Sequence, residues 1–299
     1  MNENNEIDKK EELEISTPNI KHIVISGGGV VGFSFYGLLR DTHKTGLWNI
    51  NHIQSIYGTS VGSLIAVFIA LKYDWDTMDD YIIKRPWQNV YKFSMESILY
   101  AFQNKGILER KIVEDTFSPL FKAKDISLNV SLRELYEITN IELHIMSTDI
   151  NTFNLIDFSY KTHPDWSVID AVYSSCSLPI LFQPIIKDNI CYCDGGFVAN
   201  YPIKYCVENG ALPEEIFGMC RKSIFDSTSD ITESSTLIDY ILNLLYKTID
   251  RVLNVKKEYK IGKEVFVACP PLSIYDIYET ASSMEKRIEL IRIGSELAT

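Results

Sequence analysis

The stretch YGTSVGSLIAVFIA, residues 57–70, places a serine between two glycines where a β-like run meets an apolar, helix-like run. Ser60 is the central residue of a G-x-S-x-G string whose glycines are Gly58 and Gly62. Small flanking residues let the backbone turn sharply enough to lift a serine hydroxyl above the edge of a sheet. The same string also occurs by chance in ordinary strand-to-helix turns, so the surrounding sequence has to decide between a nucleophile and a simple turn.

The sequence on either side of this turn predicts an α/β fold. IKHIVISGGGVVG (20–32) is a β-rich run that breaks into three glycines, and a helix-like segment follows at 33–48. A second strand-like run at 53–58 leads into a second helix-like run at 60–73. Strand, turn and helix repeated in this way predict parallel strands joined by right-handed crossovers. We therefore expect a three-layer α/β protein with a mainly parallel central sheet.

NICYCDGGFVANYP (189–202) is predicted as a strand that runs into a glycine turn, and residues 74–140 are predicted to be mainly helical with RPWQNV (85–90) and NKGIL (104–108) as breaks. Three more segments are predicted as strands. The strand-like segments are IELHIMSTDI (141–150), EEIFGMC (214–220) and EVFVACP (264–270). The chain of 299 residues is divided into a flexible polar tail (1–18), a catalytic core (19–205) and a C-terminal part (206–299) that completes the sheet and the helical layers.

Composition excludes several classes of protein. The N-terminal residues lack the apolar centre of a secretory signal, and the longest apolar run, Leu64 to Leu71, is about half of what a membrane-spanning helix needs. A cytoplasmic protein is expected.

The net charge and the cysteines limit the possible partners. The formal net charge of -11 argues against nucleic acid as a partner, and any contact with lipid should be local and apolar. The six cysteines show no paired spacing, so no metal site is expected.

The glycine turn GGGVVG, residues 27–32, can be interpreted in two ways. A dinucleotide-binding turn needs an acidic residue about 20 positions later, but no Asp or Glu occurs from Thr42 to Tyr73. A P-loop needs a Lys-Ser/Thr ending, which is also missing. The remaining interpretation is a set of backbone N–H groups at a helix N-terminus, a place that suits a developing negative charge.

A nucleophilic serine needs a base, and the histidines do not supply one in the usual order. In α/β-hydrolases the acidic residue and then the histidine follow the serine, but no histidine follows His163 here. A carboxylate offers an alternative: Asp194 ends a strand-like run and is followed by Gly195 and Gly196. The string CDGG alone is typical of a turn.

Together, the three glycine turns resemble those of the patatin-like phospholipase family. The similarity runs from about Ile20 to Tyr205 and includes SSCSLPILFQPI (174–185) and DGGFVANYPI (194–203). The resemblance implies a modified α/β-hydrolase fold and a Ser-Asp dyad without a cofactor. In this sequence the nucleophile would be Ser60, the general base Asp194, and the oxyanion-binding amides those of Gly28, Gly29 and Val30.

The resemblance further implies a lipid acyl hydrolase, similar to phospholipase A, that works through an acyl-enzyme. Its substrate would be a phospholipid or another acyl-ester lipid, reached by transient contact with a membrane surface through aromatic residues such as Trp87, Phe93 or Phe102. One departure is Val31, where the family commonly has Lys or Arg. This departure favours an alternative, a catalytically weak or silent scaffold or partner-binding protein. The other alternative is a nucleotide-binding protein. The sequence leaves acyl position, headgroup and oligomeric state open.

Overall fold

The structure, a computed structural model, describes residues 19–92, 95–224, 230–253 and 259–298. The predicted polar tail, residues 1–18, and Phe93 lie outside the described residues. Within the described part of the chain, no helix has both the length and the hydropathy needed to span a bilayer.

The described strands form one large twisted sheet and one small one. The strands are β1 (His22–Ile25), β2 (Ser55–Thr59), β3 (Gly106–Leu108), β4 (Glu142–Asp149), β5 (Asn154–Phe158), β6 (Ile180–Phe182), β7 (Ile185–Lys187), β8 (Ile190–Asp194), β9 (Ile216–Ser223) and β10 (Lys263–Cys269). The large sheet has the order β10-β9-β1-β2-β4-β8-β7, with β5 also paired to β4. Strands β10, β9, β1, β2 and β4 are mutually parallel, whereas β5, β7 and β8 pair antiparallel. Strands β3 and β6 form the separate parallel pair.

Helices cover both faces of the large sheet. They are α1 (Gly32–Lys44), α2 (Val61–Ala70), α3 (Trp75–Asp79), α4 (Met95–Asn104), α5 (Lys111–Ala123), α6 (Leu132–Thr139), α7 (Val168–Cys176), α8 (Gly196–Ala199), α9 (Ile203–Glu208), α10 (Leu237–Leu253), α11 (Ile274–Ser282) and α12 (Met284–Glu296). Alternate residues of β1 point to opposite faces: Ile23 and Ile25 pack in the core that includes α1 and α2, whereas Val24 packs with Cys206 of α9. The predicted three-layer α/β architecture is confirmed.

Two strand assignments differ from the sequence-based prediction. NKGIL, interpreted as a break, contains β3, and the segment after β4 contains β5, which no pattern singled out. β3 has only three residues, too few to show a period of two. Gly106 lets it pass close to β6, since a Cβ there would lie 2.2 Å from the carbonyl carbon of Phe182.

Helix α12, near the end of the chain, packs closely along α1. A Cβ on Gly37 would lie 2.1 Å from the carbonyl oxygen of Ile291, and a Cβ on Gly294 would lie 1.8 Å from that of Ser34. The Ser34 hydroxyl also donates to the Leu290 carbonyl over 2.8 Å. These two glycines let the backbones of α1 and α12 approach without intervening side chains.

Replacing Gly294 by alanine should therefore separate α12 from α1. We expect a loss of about 1–3 kcal/mol in the free energy of unfolding, because the added methyl group meets backbone rather than a movable side chain. Chemical denaturation followed by circular dichroism measures this loss. The matched control is Ile288→Ala on the exposed side of the same helix, and a Gly294→Ala variant no less stable than this control would contradict the close packing.

Candidate active site

The pairing of β4 brings two distant parts of the chain together. One edge of β4 pairs with β5, through β4 residues 145–149. The other edge is shared by two strands: β2 pairs with β4 residues 142–146, and β8 pairs with β4 residues 147–149. β2 runs parallel to β4 and β8 runs antiparallel, and they therefore meet end to end. Thr59 lies opposite Met146 and Asp194 lies opposite Ser147, the next residue along β4. The residue that follows β2 is Ser60, which is thereby placed next to Asp194.

Ser60 occupies a strained turn between β2 and α2. Its φ of 54° and ψ of -125° are unusual for a residue with a side chain, and such strain is often found at functional sites. A Cβ on Gly58 would lie 2.5 Å from the Gly62 carbonyl oxygen, and one on Gly62 would lie 2.4 Å from that of Ile25. Both glycines of the G-x-S-x-G string are thus required by close backbone approach. The Ser60 N–H donates to Ser175 Oγ over 2.8 Å, which holds the turn in place.

Asp194 is a buried carboxyl group whose pKa is raised. Only 4% of the residue is exposed, and this burial raises the pKa to about 6, although hydrogen bonds from the Gly196 N–H and the Ser60 hydroxyl act in the opposite direction. The Gly196 N–H donates to Asp194 Oδ1 over 2.7 Å. Asp194 therefore changes its protonation state closer to neutral pH than an ordinary aspartate does, and it faces the Ser60 hydroxyl.

The glycine turn lies against the same serine. A Cβ on Gly27 would be 3.2 Å from Ser60 Cβ. Gly28 has a φ of 155° and Gly29 a φ of 65°, conformations that favour glycine. Residues 29–31 then form a 3-10 turn leading into α1, and the first N–H groups of a helix have no carbonyl partner within it. The amides of Gly28, Gly29 and Val30 belong to this region.

The segment after Asp194 connects the three turns. The Gly27 N–H donates to the Asn200 carbonyl over 3.0 Å, and Thr59 Oγ1 donates to the Ala199 carbonyl over 2.7 Å. One short segment thus holds the ends of β1 and β2. Ser175 and Asn200 lie inside the motifs at 174–185 and 194–203, but neither has a local signal in the sequence, because their contacts depend on the strand order.

An apolar cavity of about 150 Å³ opens beside these groups. Ser60, Asp194, Gly29 and Val30 line it together, but none of the five histidines does. His144, for example, bonds Asp157 Oδ2 over 2.7 Å. The remaining walls are almost entirely aliphatic or aromatic: Phe33, Tyr36, Val61, Leu64, Ile65, Phe68, Ile82, Trp87, Tyr91, Leu178, Leu181, Phe182, Tyr246, Leu272, Ile277 and Ala281. The site combines a serine, a buried carboxylate, helix N-terminal amides and an apolar channel.

Two further residues adjoin the site. Val31, where a basic residue was expected from the family pattern, is buried in the core. Arg221, at the end of β9, lies against the glycine turn, since a Cβ on Gly28 would be 2.7 Å from Arg221 Cδ. Arg221 was not predicted as a site residue, because CRKS (220–223) has the composition of an exposed strand end. Its place beside the glycine turn follows from the pairing of β9 with β1.

Comparisons with known proteins identify relatives of this chain. The family model described as patatin-like phospholipase matches residues 23–207. A probable lipid hydrolase, 463L of Invertebrate iridescent virus 6, is 26% identical over 63% of this chain and 63% of its own length. Protein R571 of Acanthamoeba polyphaga mimivirus is 28% identical over 64% of this chain and 62% of its own. The lysophospholipase NTE1 of Kluyveromyces lactis is 24% identical, but only 13% of its length is matched.

Among solved structures, VipD from Legionella pneumophila has a similar fold, with a TM-score of 0.55 at 17% identity over 94% of this chain and 66% of VipD. This chain matches slightly less than two thirds of the length of the two viral relatives. The matched family region contains all three glycine turns and more than half of the chain. On this evidence the chain belongs to the patatin-like phospholipase family.

Proposed function

We propose that this protein is a lipid acyl hydrolase that cleaves fatty-acyl ester bonds with a Ser60-Asp194 dyad. The observation that carries the proposal is that Ser60, Asp194 and the glycine-turn residues Gly29 and Val30 line a single apolar cavity. The family membership supports lipid hydrolysis in general, and the geometry supports this particular pair of residues.

In the proposed reaction, Ser60 Oγ bonds to the ester carbonyl carbon while its proton passes to Asp194. The amides of Gly28, Gly29 and Val30 donate to the resulting oxyanion. The tetrahedral intermediate collapses, the carbon–oxygen bond to the alcohol breaks, and the alcohol takes the proton from Asp194. Water then attacks the acyl-enzyme, gives one proton to Asp194, and the fatty acid leaves as Ser60 regains that proton.

The environment of each group suits this role. A carboxylate with a pKa near 4 is a weak base for a serine hydroxyl, and the pKa of about 6 for Asp194 makes proton transfer to it less unfavourable. Each amide that donates to the oxyanion contributes about 2.7–4 kcal/mol to the stability of the transition state. The apolar walls exclude water and accommodate an acyl chain, which is the reason to propose a lipid rather than a polar ester.

A fluorophosphonate probe combined with lipid digestion tests the proposal. The probe should modify one residue, Ser60, as located by peptide mass spectrometry. Incubation with phospholipid or triacylglycerol in ¹⁸O-labelled water should release fatty acid carrying the label, because the acyl–oxygen bond is the one that breaks. A protein that neither reacts with the probe nor releases fatty acid from either lipid would be the silent scaffold instead.

We further propose that α4 and α10 contact the lipid surface. Phe182, which lines the cavity, packs in two apolar clusters that also share Ile238 of α10, and Ala101 of α4 packs in one of them. The outer sides of the two helices expose large apolar side chains, with Phe102 of α4 88% exposed and Leu237 of α10 65% exposed. Exposed large apolar side chains on helices that pack beside an apolar cavity are typical of an interaction surface.

Replacing Phe102 and Leu237 together by serine should reduce hydrolysis of phospholipid vesicles about tenfold or more, since two large apolar side chains each contribute about 1.5–3 kcal/mol when buried. Hydrolysis of a soluble short-chain ester should stay the same. The control is Ile138→Ser, which removes a side chain 57% exposed near the end of α6, a helix that packs against β4 and does not line the cavity. Equal loss of activity on vesicles and on the soluble ester would argue against a surface role.

A further inference from the structure

Arg221 is a buried arginine beside the glycine turn. It lies at the end of β9, which pairs with β1, and its N–H donates to Ser26 Oγ over 2.8 Å, directly before the turn. Its side chain is 1% exposed, and its stem packs against Gly28. A charged side chain buried to this extent is unusual unless it is well paired.

The pairing of this guanidinium is incomplete. Nη1 lies 3.4 Å from Asp250 Oδ1 and Nη2 lies 3.5 Å from the Pro270 carbonyl oxygen, both long hydrogen bonds. Nε has no partner among the described residues. The guanidinium also lies 4.9 Å from the centre of the Tyr246 ring, which lines the cavity next to Ser60 and Asp194. Its positive charge is therefore held by long contacts and lies one side chain, Tyr246, away from the cavity.

The location of the charge suggests what it does. An oxyanion forms where the amides of the glycine turn converge, and a positive charge stabilises it most strongly in a poorly hydrated environment. Asp250, on α10, lies on the guanidinium side of Arg221, whereas the Arg221 stem contacts Gly28. The buried stem leaves no room for a side chain on Gly28, so the same residue also fixes the shape of the turn.

We propose that Arg221 is a positioning residue for the oxyanion-binding turn and supplies positive charge to it from the neighbouring strand. Val31 offers no charge at this turn, and Arg221 reaches it from β9 instead. The inference rests on the proposed acyl hydrolase function, and it adds a residue outside the region matched by the family model.

Steady-state kinetics on a soluble ester test this inference. Arg221→Met and Arg221→Gln remove the charge and should lower kcat about 10- to 100-fold, less than the roughly 10²–10³-fold effect of removing a direct oxyanion donor. KM should change less than threefold, because the neutral ester gains little from the charge before the reaction begins. Arg221→Lys keeps the charge and should recover most of kcat.

A variant of the ion-pair partner, Asp250, separates the effect of the charge from that of packing. Asp250→Asn disrupts the same ion pair but leaves the positive charge in place, so its kcat should be no lower than that of the wild type. Melting temperatures of all four variants show which of them fold. If Asp250→Asn and Arg221→Met lose kcat equally, or if Arg221→Lys recovers nothing, the role is structural and the proposal fails.

The outcome is distinguishable from failure of the proposed function. A wild-type protein without hydrolysis or probe labelling at Ser60 contradicts the acyl hydrolase itself. An active wild type whose Arg221→Met variant folds and keeps full kcat contradicts only the role of Arg221.

Discussion

Replacing Ser60 by alanine is expected to abolish hydrolysis, with a fall in kcat of about four orders of magnitude or more. The hydroxyl lines the cavity at the start of α2 and faces Asp194, and without it the proposed acyl-enzyme cannot form. The measurement is fatty acid release under conditions in which the wild type turns over many times. Labelling by the fluorophosphonate probe should disappear in parallel.

The fold of this variant should be unaffected, since alanine keeps the backbone and removes one atom. Ser63→Ala is a suitable control because its hydroxyl, which donates to the Ser60 carbonyl over 2.6 Å, lies one helical turn away. We expect that variant to retain labelling. Hydrolysis that survives in purified Ser60→Ala would mean that another residue is the nucleophile.

Replacing Asp194 by asparagine is expected to lower kcat about 10³- to 10⁴-fold, because the amide has the shape of the carboxylate but cannot accept the serine proton. In the wild type the base must be ionised. The rate of probe labelling should thus fall as the pH drops through about 6, the pKa of Asp194. This limb of the pH profile should be missing from the residual activity of Asp194→Asn.

The same substitution should make the folded protein more stable at high pH. The pKa of Asp194 rises from 3.8 in the unfolded chain to about 6 in the native state, so the native state binds the proton more tightly. Below pH 4 both states are protonated and the group costs nothing. As the pH rises from 4 to 6 the native state loses stability, by about 3 kcal/mol at about 1.4 kcal/mol per unit of pKa.

Asp194→Asn removes that cost, and its free energy of unfolding should exceed that of the wild type at pH 8 by up to this amount. The difference should vanish near pH 4. Urea denaturation at the two pH values is the measurement. A variant that is less stable than the wild type at pH 8 would show that the ionised carboxylate contributes favourable contacts that outweigh its burial.

Features of the fold that depend on residues close together in the sequence could be predicted, whereas features that depend on distant residues could not. The turns around Gly28, Ser60 and Asp194 were predicted because each has a local signal, namely glycines at the end of a β-rich run. The mainly parallel sheet followed from the alternation of strands and helices. Strand β3 was missed because three residues cannot show a period of two, and β5 was missed because, unlike β1, β2 and β8, it does not lead into a glycine turn.

The groups that support the site were harder to predict. Ser175 contacts Ser60 and Arg221 contacts Gly28 only because of the order of the strands in the sheet. Strand order depends on residues far apart in the sequence. Arg221 is an example. The family commonly has a basic residue at the position of Val31, and in this chain a basic side chain packs against the same turn from a distant part of the sequence. The burial of Asp194, and hence its raised pKa, also required the packing of the whole sheet.

The end-to-end meeting of β2 and β8 along one edge of β4 has a consequence for how this protein becomes active. The hydrogen bond between Thr59 and Ala199 joins residues 140 positions apart in the chain, so no short fragment contains both Ser60 and Asp194. Closing such a long loop carries an entropic penalty that only the finished sheet compensates. During synthesis Ser60 emerges well before Asp194, and the two residues that we propose as a dyad do not meet until the intervening chain has folded.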